Sequence, residues 1–274
     1  MENEKSNLEV LSDLLKYQGF GEEPKLLNAL KENVVSGRKE FTLQHEAQFK
    51  EQDKLINAVL HFRKSDQTGM VYFNKFDATV ENPKDPEKSR SHTFYISKGI
   101  GVTLKEAFNL LEGRAVRRDM IGAETQQKYN AWLLLDFREK DAHNNYKMDR
   151  FTEGYGFNLK EKLAELPIKF QYEDGPSRLL KNLEKGNLVT VTYSHDGHTA
   201  EGTISANVRY KNINESKSLR EFRKEHMGQE NTVSTKKEND APGKQKKTNK
   251  GNKKEEPGEK VPEGVGEVKK TRHK

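Results

Sequence analysis

An α+β fold, with antiparallel hairpins interleaved with short helices behind N-terminal helices, is the class this sequence predicts. Three observations carry that reading. Leucines recur at helical spacing near the start of the chain. Three pairs of β-rich runs follow, each pair joined by turn residues. The chain then changes character: residues 215–274 hold 17 Lys+Arg against 11 Asp+Glu, whereas residues 1–214 hold 32 of each.

Residues 6–33 read as helical. Ser6 and Glu9 have the spacing of a capping box, and Leu8, Leu11, Leu14 and Leu15 follow on one face. Gly19 and Gly21 interrupt the run, a second helix carries Leu26, Leu27 and Leu30, and Gly37 ends it. Residues 1–40 are therefore read as an N-terminal helical segment, and 41–214 as the α+β body.

In the body, Phe41 to Leu43 is strand-like. Ile56–Phe62 and Met70–Phe76 form a hairpin around the turn chemistry of Ser65 to Gly69. Two prolines and several charges make residues 82–91 an exposed loop, His92–Ile96 a further strand and 104–112 a helix with Leu104, Ala107, Phe108 and Leu111 inward. The pattern then repeats. Tyr129–Leu135 and Tyr146–Phe151 form a hairpin, and Gly156-Phe157-Asn158-Leu159-Lys160-Glu161 echoes Gly101-Val102-Thr103-Leu104-Lys105-Glu106. Duplication and convergent packing both account for this two-fold hairpin–helix repeat. The last unit is a helix over 176–185, a C-cap at Gly186, and a hairpin turning at Asp196-Gly197. The units span about 55–113, 129–168 and 176–214. Residues 215–274 read as a disordered basic tail. A short charged helix is conceivable at 215–227, but beyond Gly228 almost nothing apolar remains to offset the entropy of ordering.

Composition narrows the chemistry. With no cysteine, disulfides, thiolate metal sites and Cys nucleophiles are excluded. The polar N-terminus lacks a signal-peptide core, and no apolar run approaches a membrane span. The expectation is a cytoplasmic protein with no membrane contact.

Each chemical candidate has a structural counterpart. Gly99-x-Gly101 before a helix offers a phosphate site, but the third glycine of a dinucleotide fingerprint and a Walker lysine are absent, and a tight turn explains it equally. His195 and His198 bracket a turn, with no further ligand nearby in sequence. Asp136, Glu139 and Asp141 either pair for metal or acid–base work or simply lead into a turn. No cofactor, metal or catalytic residue is assigned. Arg114, Arg117 and Arg118 lie close together after the first repeat helix, where they suit either phosphates or the helix dipole. In the tail, Lys236, Lys237, Lys246, Lys247, Lys253, Lys254, Lys269 and Lys270 can contact nucleic acid non-specifically through counterion release. The tail lacks aromatics that stack on bases, and serves equally as a tether.

A resemblance adds a setting. Thr93-Phe94-Tyr95-Ile96, the run Glu106 to Val116, Lys128 to Trp132, Tyr155-Gly156-Phe157, Leu166-Pro167-Ile168-Lys169 and Ile204-Ser205-Ala206-Asn207 resemble a group of Bacteroidota proteins with no assigned activity, often encoded on conjugative or other mobile elements. The similarity covers about residues 8–214. Where that group usually has Pro after the Ala-Asn pair, Val208 stands here. The resemblance implies a source and a genetic context, and no cofactor or catalytic residue. The functional expectation is a non-enzymatic binding or accessory protein of mobile-element or DNA metabolism, with a protein partner for the body and weak nucleic-acid contact through the tail. The alternatives are a protein-binding adaptor tethered by its tail and, further off, a phosphate-handling enzyme.

Overall fold

The computed structural model describes residues 6–49, 53–82, 84–97, 101–122 and 125–228. They build an α+β fold of six helices and three antiparallel sheets. The eight tail lysines read as nucleic-acid contacts, and Gly99 of the glycine turn, lie outside the described residues.

The two N-terminal helices are α1 (Asn7–Tyr17) and α2 (Pro24–Val35). The expected capping box at Ser6 and Glu9 closes α1. Gly19 and Gly21 do more than interrupt. Both take positive φ, and they fold the chain so that Phe20 between them is 1% exposed. Its ring meets His45, Phe73 and Phe76 edge-on, at centroid distances of 5.6, 5.7 and 5.2 Å. Leu11, Leu15, Leu26 and Leu30 enter the same core as the first sheet, so α1 and α2 are not a separate segment.

That sheet is a meander of β1 (Glu40–Gln48), β2 (Leu55–Lys64), β3 (Val71–Val80) and β4 (Arg90–Tyr95). Ile56, Ala58, Leu60 and Phe62 alternate inward along β2. The loop expected over 82–91 is shorter: a 3-10 turn spans Pro86–Lys88 and β4 already begins at Arg90. Helix α3 (Leu104–Leu111) then closes the core, capped by Thr103 and Glu106.

A strand absent from the sequence reading follows α3. β5 (Val116–Ile121) pairs with β6 (Lys128–Lys140), which pairs with β7 (Tyr146–Thr152). This middle sheet separates two cores. Leu133 and Leu135 belong to the first, while Trp132 belongs to the second, where the partly buried Leu134 also packs. Alternate side chains of β6 thus face opposite layers, which is why Trp132–Leu135 is continuously apolar. The second core is completed by α4 (Leu159–Ala164), α5 (Gly175–Glu184), the sheet of β8 (Val189–His195), β9 (His198–Asn207) and β10 (Asn212–Glu215), and α6 (Lys217–Met227). Asp196 and Gly197 both take positive φ at the β8–β9 turn, as a two-residue hairpin needs.

The boundary drawn at 214 is corrected. β10 ends at Glu215, and α6 buries Leu219, Phe222 and Arg223, so the fold continues to Gly228. The two hairpin–helix units share strand pairing and capped helices, but are built unequally. The first inserts β4 before its helix and buries α3 almost throughout, while α4 buries only Leu159.

Candidate functional site

The three arginines sit on different structural features. Arg114 lies in the turn after α3, where its Nε donates to the Gly186 carbonyl (2.9 Å) and its Nη2 to Asn109 Oδ1 (2.7 Å). Burial pushes its guanidinium below the usual arginine range, partly opposed by Glu112. Asn109, fully buried, donates in turn to the Lys185 carbonyl. Gly186 is required at this joint. At φ +76°, an added Cβ would lie 2.8 Å from the Ala115 carbonyl oxygen. Arg114 therefore locks the end of α3 to the end of α5.

By sequence, Arg117 and Arg118 follow a helix end. They lie on β5 instead, and successive residues of a strand face opposite sides. Arg117 donates to Asn130 and pairs with Glu184 at 2.7 Å. Arg118 donates to the Gly101 carbonyl and lies 3.5 Å from Glu106. No single face gathers all three.

The other candidates also resolve into local partners. At the α3 N-terminus, Leu104 N–H donates to the Gln18 carbonyl, while the Glu106 carboxylate accepts from Thr103 N–H. A carboxylate thus occupies the position an anion would take. Gly101 itself is a packing requirement, since an added Cβ would lie 3.0 Å from the Tyr95 carbonyl oxygen. Asp136 is held by Arg138 through Nε (2.9 Å) and Nη2 (2.6 Å). The Arg138 hydrogen bonds hold its carboxyl well below the usual range. Glu139 pairs with Lys147, and Asp141 accepts from the N–H groups of His143 and Asn145. These three carboxylates serve three separate purposes. His195 and His198 pair across their turn, and the His198 ring stacks on His226 of α6 at 4.3 Å. Among the described residues no group of three or more His, Asp or Glu side chains is placed to hold a metal.

A site that the sequence did not indicate lies under β4. One face of the middle sheet carries Leu133 on β6, Met120 on β5, and Met148 and Arg150 on β7. The first core covers part of this face and leaves a cleft of about 580 Å³ beside the edge of β4. Asn145 fixes that edge by accepting from Thr93 N–H at 2.7 Å. His92 lines the cleft. It is 8% exposed, packs against Phe94 at 4.7 Å, and its Nδ1 is buried without a hydrogen-bond partner among the described residues. An unpaired buried nitrogen of this kind costs about 1–3 kcal/mol. The returning strand over Tyr146–Phe151 was legible in the sequence, but nothing local marked His92 as enclosed.

Burial pushes the His92 imidazole down to about 4, against weak opposition from Asp141. The unfolded chain protonates this ring near its ordinary value of about 6.5. Between the two values the unfolded state holds the extra proton, so stability falls as pH is lowered through that window. The expected loss is about 3 kcal/mol on reaching pH 4. His45 is also lowered by burial and acts in the same direction. Urea unfolding of the parent and of His92→Leu at pH 7 and pH 4.5 isolates the His92 share: the variant should lose distinctly less stability on acidification. Equal losses would refute the assignment.

Comparisons with family models, with curated proteins and with solved structures return no match.

Proposed function

We propose that this chain is a binding protein that contacts nucleic acid non-specifically through residues 229–274. One observation carries the reading. Those residues hold 13 Lys+Arg against 8 Asp+Glu, so +5 of the formal charge of +6 lies there. Cations in such number attract a phosphate backbone by releasing its counterions, without selecting a sequence. The interspersed carboxylates keep the attraction weak and sensitive to salt. Arg114, Arg117 and Arg118 support this division of labour, since each is already engaged with acceptors of the protein itself. The resemblance of residues 8–214 to proteins of mobile elements supports placing the contact in DNA handling, with the body engaging a protein partner.

The test compares the full chain with a 1–228 truncation in DNA mobility-shift titrations. A truncation at 214 would remove α6 and expose the second core. The full chain should retard DNA at about 50 mM salt and lose most of that affinity by about 200 mM. The truncation should not retard it. Equal retardation by both would move the contact to the body, and retardation by neither would leave an adaptor tethered by its tail.

A further inference from the structure

We infer that the cleft under β4 binds a small amphipathic carboxylate. Its volume of about 580 Å³ falls within the range of small-molecule sites, roughly 300–1,000 Å³. Leu133, Met120 and Met148 give it an apolar floor, and Phe94 and Val102 line it from the first core. Two thioethers suit a flat or irregular apolar body, because methionine adapts its shape and contacts rings favourably.

The charges at the cleft choose the sign of the ligand. Arg118 is engaged by Gly101 and Glu106, and Lys147 by Glu139. Asp119 accepts from Asn130, and Asp141 from backbone N–H groups of its own turn. Arg150 differs: it is exposed, lines the cleft and has no ion pair or hydrogen bond among the described residues. One uncommitted guanidinium matches one carboxylate, with two parallel N–H···O bonds. A dianion such as a phosphate monoester would bring a second charge toward Asp119 and Asp141, which line the same space. The second pointer to a ligand is His92, more than nine-tenths buried in the wall, with an imidazole nitrogen that no group among the described residues satisfies.

Methionine-methyl NMR of the full chain, labelled with 13C-methyl methionine, reads this site directly. The chain has five methionines. Met120 and Met148 line the cleft, while Met70 lines a separate groove between α1 and β3 and so serves as an internal control. The probes are 2-naphthoate, neutral 2-naphthol, and acetate, which has the charge without the apolar body. Titration with 2-naphthoate should move the Met120 and Met148 signals and leave Met70 and Met227 in place. 2-Naphthol should bind about tenfold more weakly, and acetate should leave all signals unmoved. Arg150→Gln, at an exposed position, should weaken 2-naphthoate about tenfold and leave 2-naphthol unchanged. Stationary Met120 and Met148 signals, movement of Met70 in their place, or parental naphthoate affinity in Arg150→Gln would each overturn the inference.

Discussion

Replacing Glu215 with alanine is expected to destabilise the fold by about 3–5 kcal/mol, the usual cost of removing one partner from a buried ion pair. Glu215 stands at the end of β10, with its side chain 4% exposed. Its Oε1 accepts from the Tyr193 hydroxyl at 2.7 Å, and its Oε2 from Arg223 Nη1 at 3.0 Å. Tyr193 is fully buried, and burial together with the hydrogen bond to Glu215 raises its hydroxyl far above the usual tyrosine range. The carboxylate thus joins β8, β10 and α6 at one point. Alanine removes the carboxylate that pairs with a guanidinium at 11% exposure. Urea unfolding of Glu215→Ala measures the loss, and a cost below about 1 kcal/mol would show that the network contributes little. The double variant Glu215→Met with Arg223→Met should recover much of the stability, because both charges leave together. If the double variant is no better than the single, packing around the pair, and not its charge, dominates.

Phe20→Ala is expected to cost a similar amount, about 3–5 kcal/mol, and to lower the melting temperature by roughly 10 °C. Phe20 sits on the link between α1 and α2, residues 18–23, with a glycine on either side at positive φ. Its ring is the contact through which this link reaches Phe73 and Phe76 of β3 and His45 of β1. Alanine would leave a cavity bounded by backbone that cannot easily collapse into it. It would also release the N-terminal helices from the sheet. Thermal unfolding followed by near-ultraviolet circular dichroism gives the shift. A change of only 1–2 °C would mean that Leu11, Leu15, Leu26 and Leu30 hold the helices without it.

Both residues show where local sequence signals stop. Gly19-Phe20-Gly21 reads correctly as a break, because two glycines disfavour a helix. That the residue between them is a core hub depends on β1 and β3, which come later in the chain. Glu215 falls where composition turns polar, so averaging over the last 60 residues placed it in the tail. Helix α6 needs only a narrow apolar stripe, Leu219 and Phe222, to close the second core, and a mean composition hides such a stripe. β5 escaped for a related reason. Arg117, Arg118 and Asp119 break its apolar pattern, as charges on edge strands commonly do.

The candidate site divides in the same way. The arginines, the three carboxylates and the paired histidines were all visible as residue types at suggestive spacing. Whether a charge is free or spent depends on distant partners. Gly186 lies 72 residues from Arg114, and Glu184 67 residues from Arg117. His92 and Arg150 carried no motif at all.

The sequence by itself determined the hairpins, the capped helices, the hairpin turns and the charge asymmetry of the chain. Each of these arises from interactions within a few residues, where side-chain period, φ preference and capping geometry act directly. The tertiary structure alone decided that one middle sheet serves two cores, that its uncovered face forms a cleft, and which ionic groups remain unpaired. Those outcomes depend on which layer covers which face, and a strand's alternation names its two faces without naming their neighbours.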